Sequence, residues 1–299
     1  MASLPYLFGF PPRNSIIALA FRGKRLIASG RVDADAIDDP DQLRDRMEAV
    51  AQHGDLVIIV AWIDPAAAAE RAASLAAAAL GGVDQTIIVS DGRCRADRGP
   101  WVECPTTHPA AEAAGLEVLP DRAAVEAQVS GPGTDKPAGR RWSKARDAVS
   151  LKSHWWCEDR FDALLLRGLE APDSLSAADR TELAALAHSG LIRERVWDHF
   201  SADRADQHLA LWRAVVAVVA PEGAPAPLGL MAFAAWLAGE GVLATCCVQR
   251  GLGIAPEHSL LLLFNSINLA GLPPSAWGEM RQTLMAQRDR SPQLAANMD

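Results

Sequence analysis

Lysine is nearly missing from this 299-residue chain: four occur, Lys24, Lys136, Lys144 and Lys152, and arginine supplies the rest of the 29 basic side chains. Tyrosine occurs once and cysteine five times. So few thiols, odd in number, exclude a disulfide framework and fit reduced cysteines. No apolar run reaches the roughly 18 to 20 residues of a membrane span, because "LALWRAVVAVVA" and "LLLLFNSINLA" are broken by Arg or Asn. No charged stretch precedes an apolar one at the start, so a cytoplasmic protein is expected. Also lacking are the phosphate-binding P-loop, the dinucleotide fingerprint and the G-x-S-x-G elbow. Cys94, Cys104 and His108 do not have the paired spacing of a structural zinc site, and Cys246 and Cys247 read as small core residues. Each absence removes the common enzymes of its class and leaves the rarer ones open.

What is present is a net charge of −8 and a 49% hydrophobic composition, enough for two cores. The acidic balance disfavours indiscriminate binding to nucleic acid or anionic lipid. One stretch runs against it. "KPAGRRWSKARDAVSLK" holds Lys136, Arg140, Arg141, Lys144, Arg146 and Lys152, with Asp147 the only acid. A solvated helix face is the plain reading. The sharper one is a nucleic-acid contact, with Trp142, Trp155 or Trp156 stacking on bases, although tryptophans in apolar stretches belong more often to a core.

The first hundred residues alternate strands and helices. "SIIALAFR" and "RLIASGRV" flank a two-residue "GK" and read as a hairpin. In "DPDQLRDRMEAVAQHG", Asp39 caps, Pro40 opens the helix, Leu43, Met47 and Val50 share a face, and Gly54 stops it. "DLVIIVAW" is a strand without a polar face. The same grammar repeats, with Asp64 expected as cap, Pro65 as opener and Gly81-Gly82 as stop. "QTIIVSD" follows, then "RCRAD" with "PWVEC" as a terminal hairpin. The expected class is an α/β domain with a mixed sheet in ββαβαββ order, whose two crossover helices share one face. The other face then needs a cover: a reversed strand order, the second half of the chain, or a partner subunit.

Beyond residue 104 the pattern is helical. The Gly/Pro-rich "SGPGTDKPAG" marks a boundary, giving an expected sheet domain over 1–130, a linker over 131–139 and an all-α domain over 140–299. In "WLAGEGVLATCCVQRGLGIAP", Gly239, Ala244, Cys247, Gly251 and Pro256 stand at the offsets of the second helix of a tetratricopeptide repeat. One such unit is visible, so the expectation is a TPR-like helical hairpin and not an array.

"PYLFGFPPRNSIIAL", "ELAALAHSGLIRERVW" and "AFAAWLAGEGVLATCCVQRGLGIAPEHSLLLL" followed by "GLPPSAW" resemble, in that order, the actinobacterial family catalogued as domain of unknown function 4192. The resemblance spans most of the chain and implies a cytoplasmic, high-GC actinobacterial origin. It implies no activity.

Three sets of residues are candidates for chemistry. Arg13, Asn14 and Ser15, held by Pro11 and Pro12, could grip a carboxylate or phosphate, or simply close the first strand with Tyr6, Phe8 and Phe10 plugging the core. Asp33, Asp64 and Asp91 each end a strand, where α/β sheets bind ligands, and three converging carboxylates could hold a hard cation such as Mg2+. No other cofactor is expected. Cys157 is the one thiol taken as a candidate for an electropositive setting. "ELAALAHSGLIRERVWDHF" has a faint helix-turn-helix cadence around Gly190 and Val196. The favoured function is a non-catalytic interaction or scaffold protein that uses the surface of the helical domain for a protein partner and the uncovered face of the sheet for self-association. Against it stand a metal-dependent enzyme or small-ligand binder on the strand-end aspartates, and a nucleic-acid-associated protein using residues 136 to 152.

Overall fold

The computed structural model describes residues 1–105 and 108–283. It divides into two units, Met1–Ala127 with Asn265–Pro273, and Gln128–Phe264 with the residues from Pro274 on. The last part of the expected helical domain, 284–299, lies outside the described residues.

The first unit opens on a turn of helix where a stiff loop was expected: α1 (Leu4–Phe8), ended by Gly9 in left-handed backbone at φ 78°. β1 (Ser15–Arg22) and β2 (Arg25–Asp33) form the expected hairpin, with Gly23 at φ 59°, the conformation that the first loop position of a type II′ turn requires. The carboxylate of Asp39 accepts from the N–H of Gln42 at 3.0 Å and starts α2 (Pro40–Ala51), whose Leu43, Met47 and Val50 are buried. Gly54 lets the chain turn beneath β1, since a Cβ there would lie 2.6 Å from the carbonyl oxygen of Phe21. β3 (Leu56–Trp62) follows, then α3 (Ala66–Ala79). Asp64 does not cap α3. Pro65 takes the capping position without a side-chain bond, and the Asp64 carboxylate turns instead to the end of the next strand.

β4 (Gln85–Ser90) and β5 (Arg93–Ala96) are joined by Asp91-Gly92, both at positive φ (48° and 71°), the backbone of a type I′ turn. β6 (Val102–Glu103) completes a six-stranded sheet in the order β2-β1-β3-β4-β5-β6. After α1 the element order is therefore ββαβαβββ: the six strands named from the sequence are all present, the terminal hairpin following β4, and the expected ββαβαββ order was one strand short of them. Only β3 and β4 pair in parallel; the other pairs are antiparallel. Both crossover helices lie on one face, where Ile16, Ala18, Ala20, Ile59, Ala61 and Ile88 meet α2 and the Ala69, Ala72, Ala73, Ala76 side of α3. Alanines on both sides of that contact let helix and sheet approach closely. β1 is buried on its other side too, at Ile17 and Leu19.

α4 (Pro109–Ala113) and α5 (Arg122–Ala127) end the continuous part of this unit. Its distant piece, Asn265–Pro273, brings the Ala270 carbonyl within 3.4 Å of Gln52 Nε2 and of a His53 ring nitrogen, and sets Gly271 against the backbone of Ala49.

The second unit is helical. α6 (Lys136–Ser150) begins inside the stretch read as linker, because Asp135 accepts from the N–H of Ala138 and Pro137 sits in the first turn. α7 (His154–Glu170), α8 (Ala177–His188), the four-residue α9 (Gly190–Arg193) and α10 (Ala205–Val216) follow. α11 (Pro225–Ala238) is buried all round from Pro225 to Leu237, so it is the central helix, packed by α8, α10 and α12 (Gly241–Ile254). α13 (Ser259–Leu269) starts here, and its residues from Asn265 count with the first unit. Fully buried His208 stacks on Phe200 at 3.8 Å with a ring nitrogen 3.1 Å from the His199 carbonyl oxygen, and burial drives its pKa down to about 4.

Candidate functional site

Because β1 runs antiparallel to both neighbours, its start lies beside their ends. Ser15 pairs with Asp33 on β2 and with Trp62 on β3. The register therefore brings the polar junction Arg13-Asn14-Ser15 to the end of the sheet where the strand-end aspartates lie. The hydroxyl of fully buried Ser15 donates to the Arg13 carbonyl at 2.9 Å. Asn14 is left-handed at φ 50°, and its carbonyl accepts from the N–H of Ala34 at 2.9 Å. These bonds close the strand entrance and leave the Arg13 side chain exposed.

The aspartates serve separate purposes. Asp33 pairs with Arg31 at 2.6 Å and with Arg122 at 3.6 Å, while the Arg31 guanidinium lies over the Phe10 ring. Asp64 accepts from the Ser90 hydroxyl at 2.7 Å and from the Asp91 N–H at 2.8 Å. Those two bonds hold its carboxyl below the usual carboxylate range, with the charge of Arg13 adding a little. Asp91 is the left-handed residue of the turn. Among the described residues no three His, Cys, Asp or Glu side chains gather to hold a metal ion, so Asp33, Asp64 and Asp91 do not form the converging trio expected for Mg2+.

The cysteines are buried. Cys104 lies against Cys94, and burial together with that neighbour pushes its thiol up to about 11. His108 caps α4 by accepting from the N–H of Ala111 and meets the ring of Tyr6 edge-on. Burial raises the Cys157 thiol despite nearby Lys152, the reverse of an activated nucleophile.

The basic stretch splits by role. Arg141 donates to the Val218 carbonyl at 3.4 Å, Arg146 pairs with Asp147 at 3.5 Å, and Lys152 lies 5.0 Å from the Trp156 ring. Trp142 is buried. Arg140 and Lys144 stay exposed. The helix-turn-helix cadence does not become a reading helix: α9 has four residues and gives way to a 3-10 turn, Glu194–Asp198, in which Val196 is buried.

Sequence reasoning undervalued the corner between α6 and α7. Leu151 is 86% exposed and Trp155 77%. The signal was there, because Cys157, Phe161, Leu164, Leu165 and Leu169 mark the buried stripe of α7 and Trp155 falls opposite it. Sequence reasoning also missed the ion pairs that fasten α7, in which Arg195 grips Glu158 and Asp162 and Arg160 grips Asp179 and Glu182. In the first unit an open groove of about 650 Å³ is lined by Asp45, Glu48, Ala49, Gln52, Val57 and Leu80, away from the strand-end set.

No helix among the described residues is long and apolar enough to cross a membrane. No curated protein and no solved structure matches the chain. One family model does, that of the domain of unknown function DUF4192, over residues 1–275. With that match covering most of the chain, from residue 1 to residue 275, the chain belongs to the DUF4192 family.

Proposed function

We propose that this chain is a non-catalytic protein-interaction or scaffold protein and that its contact surface belongs to the helical unit. The observation that carries the reading is the α6–α7 corner, where a tryptophan 77% exposed stands four residues from a leucine 86% exposed. Soluble proteins seldom leave such side chains together in water, and tryptophan is the residue most often found as an interface anchor. α11 and α12, two 14-residue helices joined through Gly239 and Glu240, support the finer reading of a TPR-like hairpin. Gly239 is left-handed at φ 82°, and Ala244, Cys247 and Gly251 are buried, as close helix approach requires. An actinobacterial, cytoplasmic setting belongs to the same reading.

The metal-dependent alternative is weaker because Asp33 and Asp64 are already committed to arginine, serine and backbone donors. The nucleic-acid alternative loses Arg141, Arg146 and Lys152 to local partners. Affinity capture from the native host, with the full chain and its Leu151→Ser, Trp155→Ser double variant as parallel baits, tests the proposal. Proteins retained by the parent and lost by the variant are expected; identical captures overturn it.

A further inference from the structure

Two rows of exposed side chains in the helical unit, one on each of two consecutive helices that meet at the α6–α7 corner, carry opposite charge. On α6, Lys136, Arg140 and Lys144 follow the spacing of one helix face, which continues through Asp147, paired with Arg146 at 3.5 Å, to Leu151 just past the last turn. On α7, Trp155, Asp159, Ala163, Leu166 and Glu170 do the same, all exposed. Among the described residues none of the three cations and neither of the two acids has a side-chain hydrogen bond or ion pair. This differs from the rest of α7, where Glu158, Arg160, Asp162 and Arg167 are all paired.

From this pattern we infer that the α6–α7 corner binds a second copy of the same chain, α6 of one copy lying against α7 of the other. The inference rests on the interaction reading above and names its partner. The reason is self-complementarity. A ligand of one sign, whether a nucleic-acid strand or an acidic peptide, meets the wrong charge on one of the two rows. A two-fold-related copy sets Lys136, Arg140 and Lys144 opposite Asp159 and Glu170, and does so twice. Leu151 ends one row and Trp155 begins the other, so in this arrangement the corner they share falls near the axis, where each covers the other copy's apolar surface. The helices have 15 and 17 residues, roughly 22 and 25 Å of length. That is a small interface, and the dimer it makes is weak and reversible.

Sedimentation equilibrium of the full chain across a wide concentration range tests this. A monomer–dimer equilibrium that weakens with added salt is expected. Trp155→Ser shifts dissociation at least tenfold toward monomer, and the Arg140→Glu, Lys144→Glu pair does likewise. Adding Asp159→Lys and Glu170→Lys to that pair restores the dimer, a rescue that general destabilisation cannot give. A chain that is monomeric at every concentration, a dimer indifferent to Trp155→Ser, or a reversed quadruple variant that stays monomeric overturns the inference. Binding of an oligothymidylate strand that is lost with Arg140→Glu and Lys144→Glu also overturns it. If the chain is monomeric yet the host capture still depends on Leu151 and Trp155, the second copy falls and the interaction reading stands.

Discussion

The Asp64 carboxylate takes two hydrogen bonds, from the Ser90 hydroxyl and the Asp91 N–H, and so ties the end of β3 to the β4–β5 turn. Bonds to a charged acceptor outweigh neutral ones, so Asp64→Asn is expected to cost about 1 to 2 kcal/mol in urea unfolding at neutral pH. Because the folded carboxyl titrates below its unfolded value, that stabilisation is present above the ordinary carboxylate range and is lost as pH falls through the folded pKa. The Asn variant should show a shallower loss of stability in acid than the parent. This side chain also marks a limit of sequence reading. Asp-Pro before an alanine-rich run has a helix-capping cadence, yet the acceptor went to Ser90 and Asp91, 26 and 27 residues away in the chain. Trp155 was the reverse case. Its exposure follows from helical spacing alone, but among the tryptophans it was weighed only as a residue that stacks on bases or belongs to a core.

At the scale of elements, the hairpin, α2, β3, α3 and β4 were legible because hydrophobic period, caps and glycine stops agree locally. Gly54 shows how firmly such a stop is fixed. A Cβ there meets the Phe21 backbone, which cannot yield as a side-chain tip would. Gly54→Ala is expected to lower stability by roughly 1 to 3 kcal/mol, as overpacking does. Gly253, inside α12, has nothing within 4 Å of its built Cβ, and Gly253→Ala should gain up to about 1 kcal/mol from helix propensity. Thermal melts of the two variants should therefore move in opposite directions. The start of α6 was illegible for a related reason: Gly, Pro and Asp look like linker residues, while Asp135 and Pro137 are also what a helix start uses. The strand-end set was legible as residues and not as an arrangement, since only the register shows that Asp33 and Asp64 answer to different partners.

For the molecule as a whole, acid should act on the helical unit through neutral histidines. His208 and His258 both titrate near 4 in the fold against 6.5 unperturbed, burial being the main cause for each. Between those values the unfolded chain takes up protons that the folded one refuses, so stability falls as pH drops from about 6.5 to 4. For His208 the effect is on the order of 3 kcal/mol across that window. His208→Phe, which keeps a ring against Phe200, should flatten the slope of unfolding free energy against pH even though it loses the bond to His199. An unchanged slope would place the acid sensitivity elsewhere. No local pattern foretold that Asn265–Pro273 belongs to the first unit, because the last turn of α13 and the four residues after it carry no signal of where they pack.

That return has a consequence for synthesis. A ribosome that has released the sheet, α2 and α3 has not yet made the residues that meet Ala49, Gln52 and His53, and nearly all the helices are translated before those residues appear. The half that emerges first is thus the half that must wait to be completed.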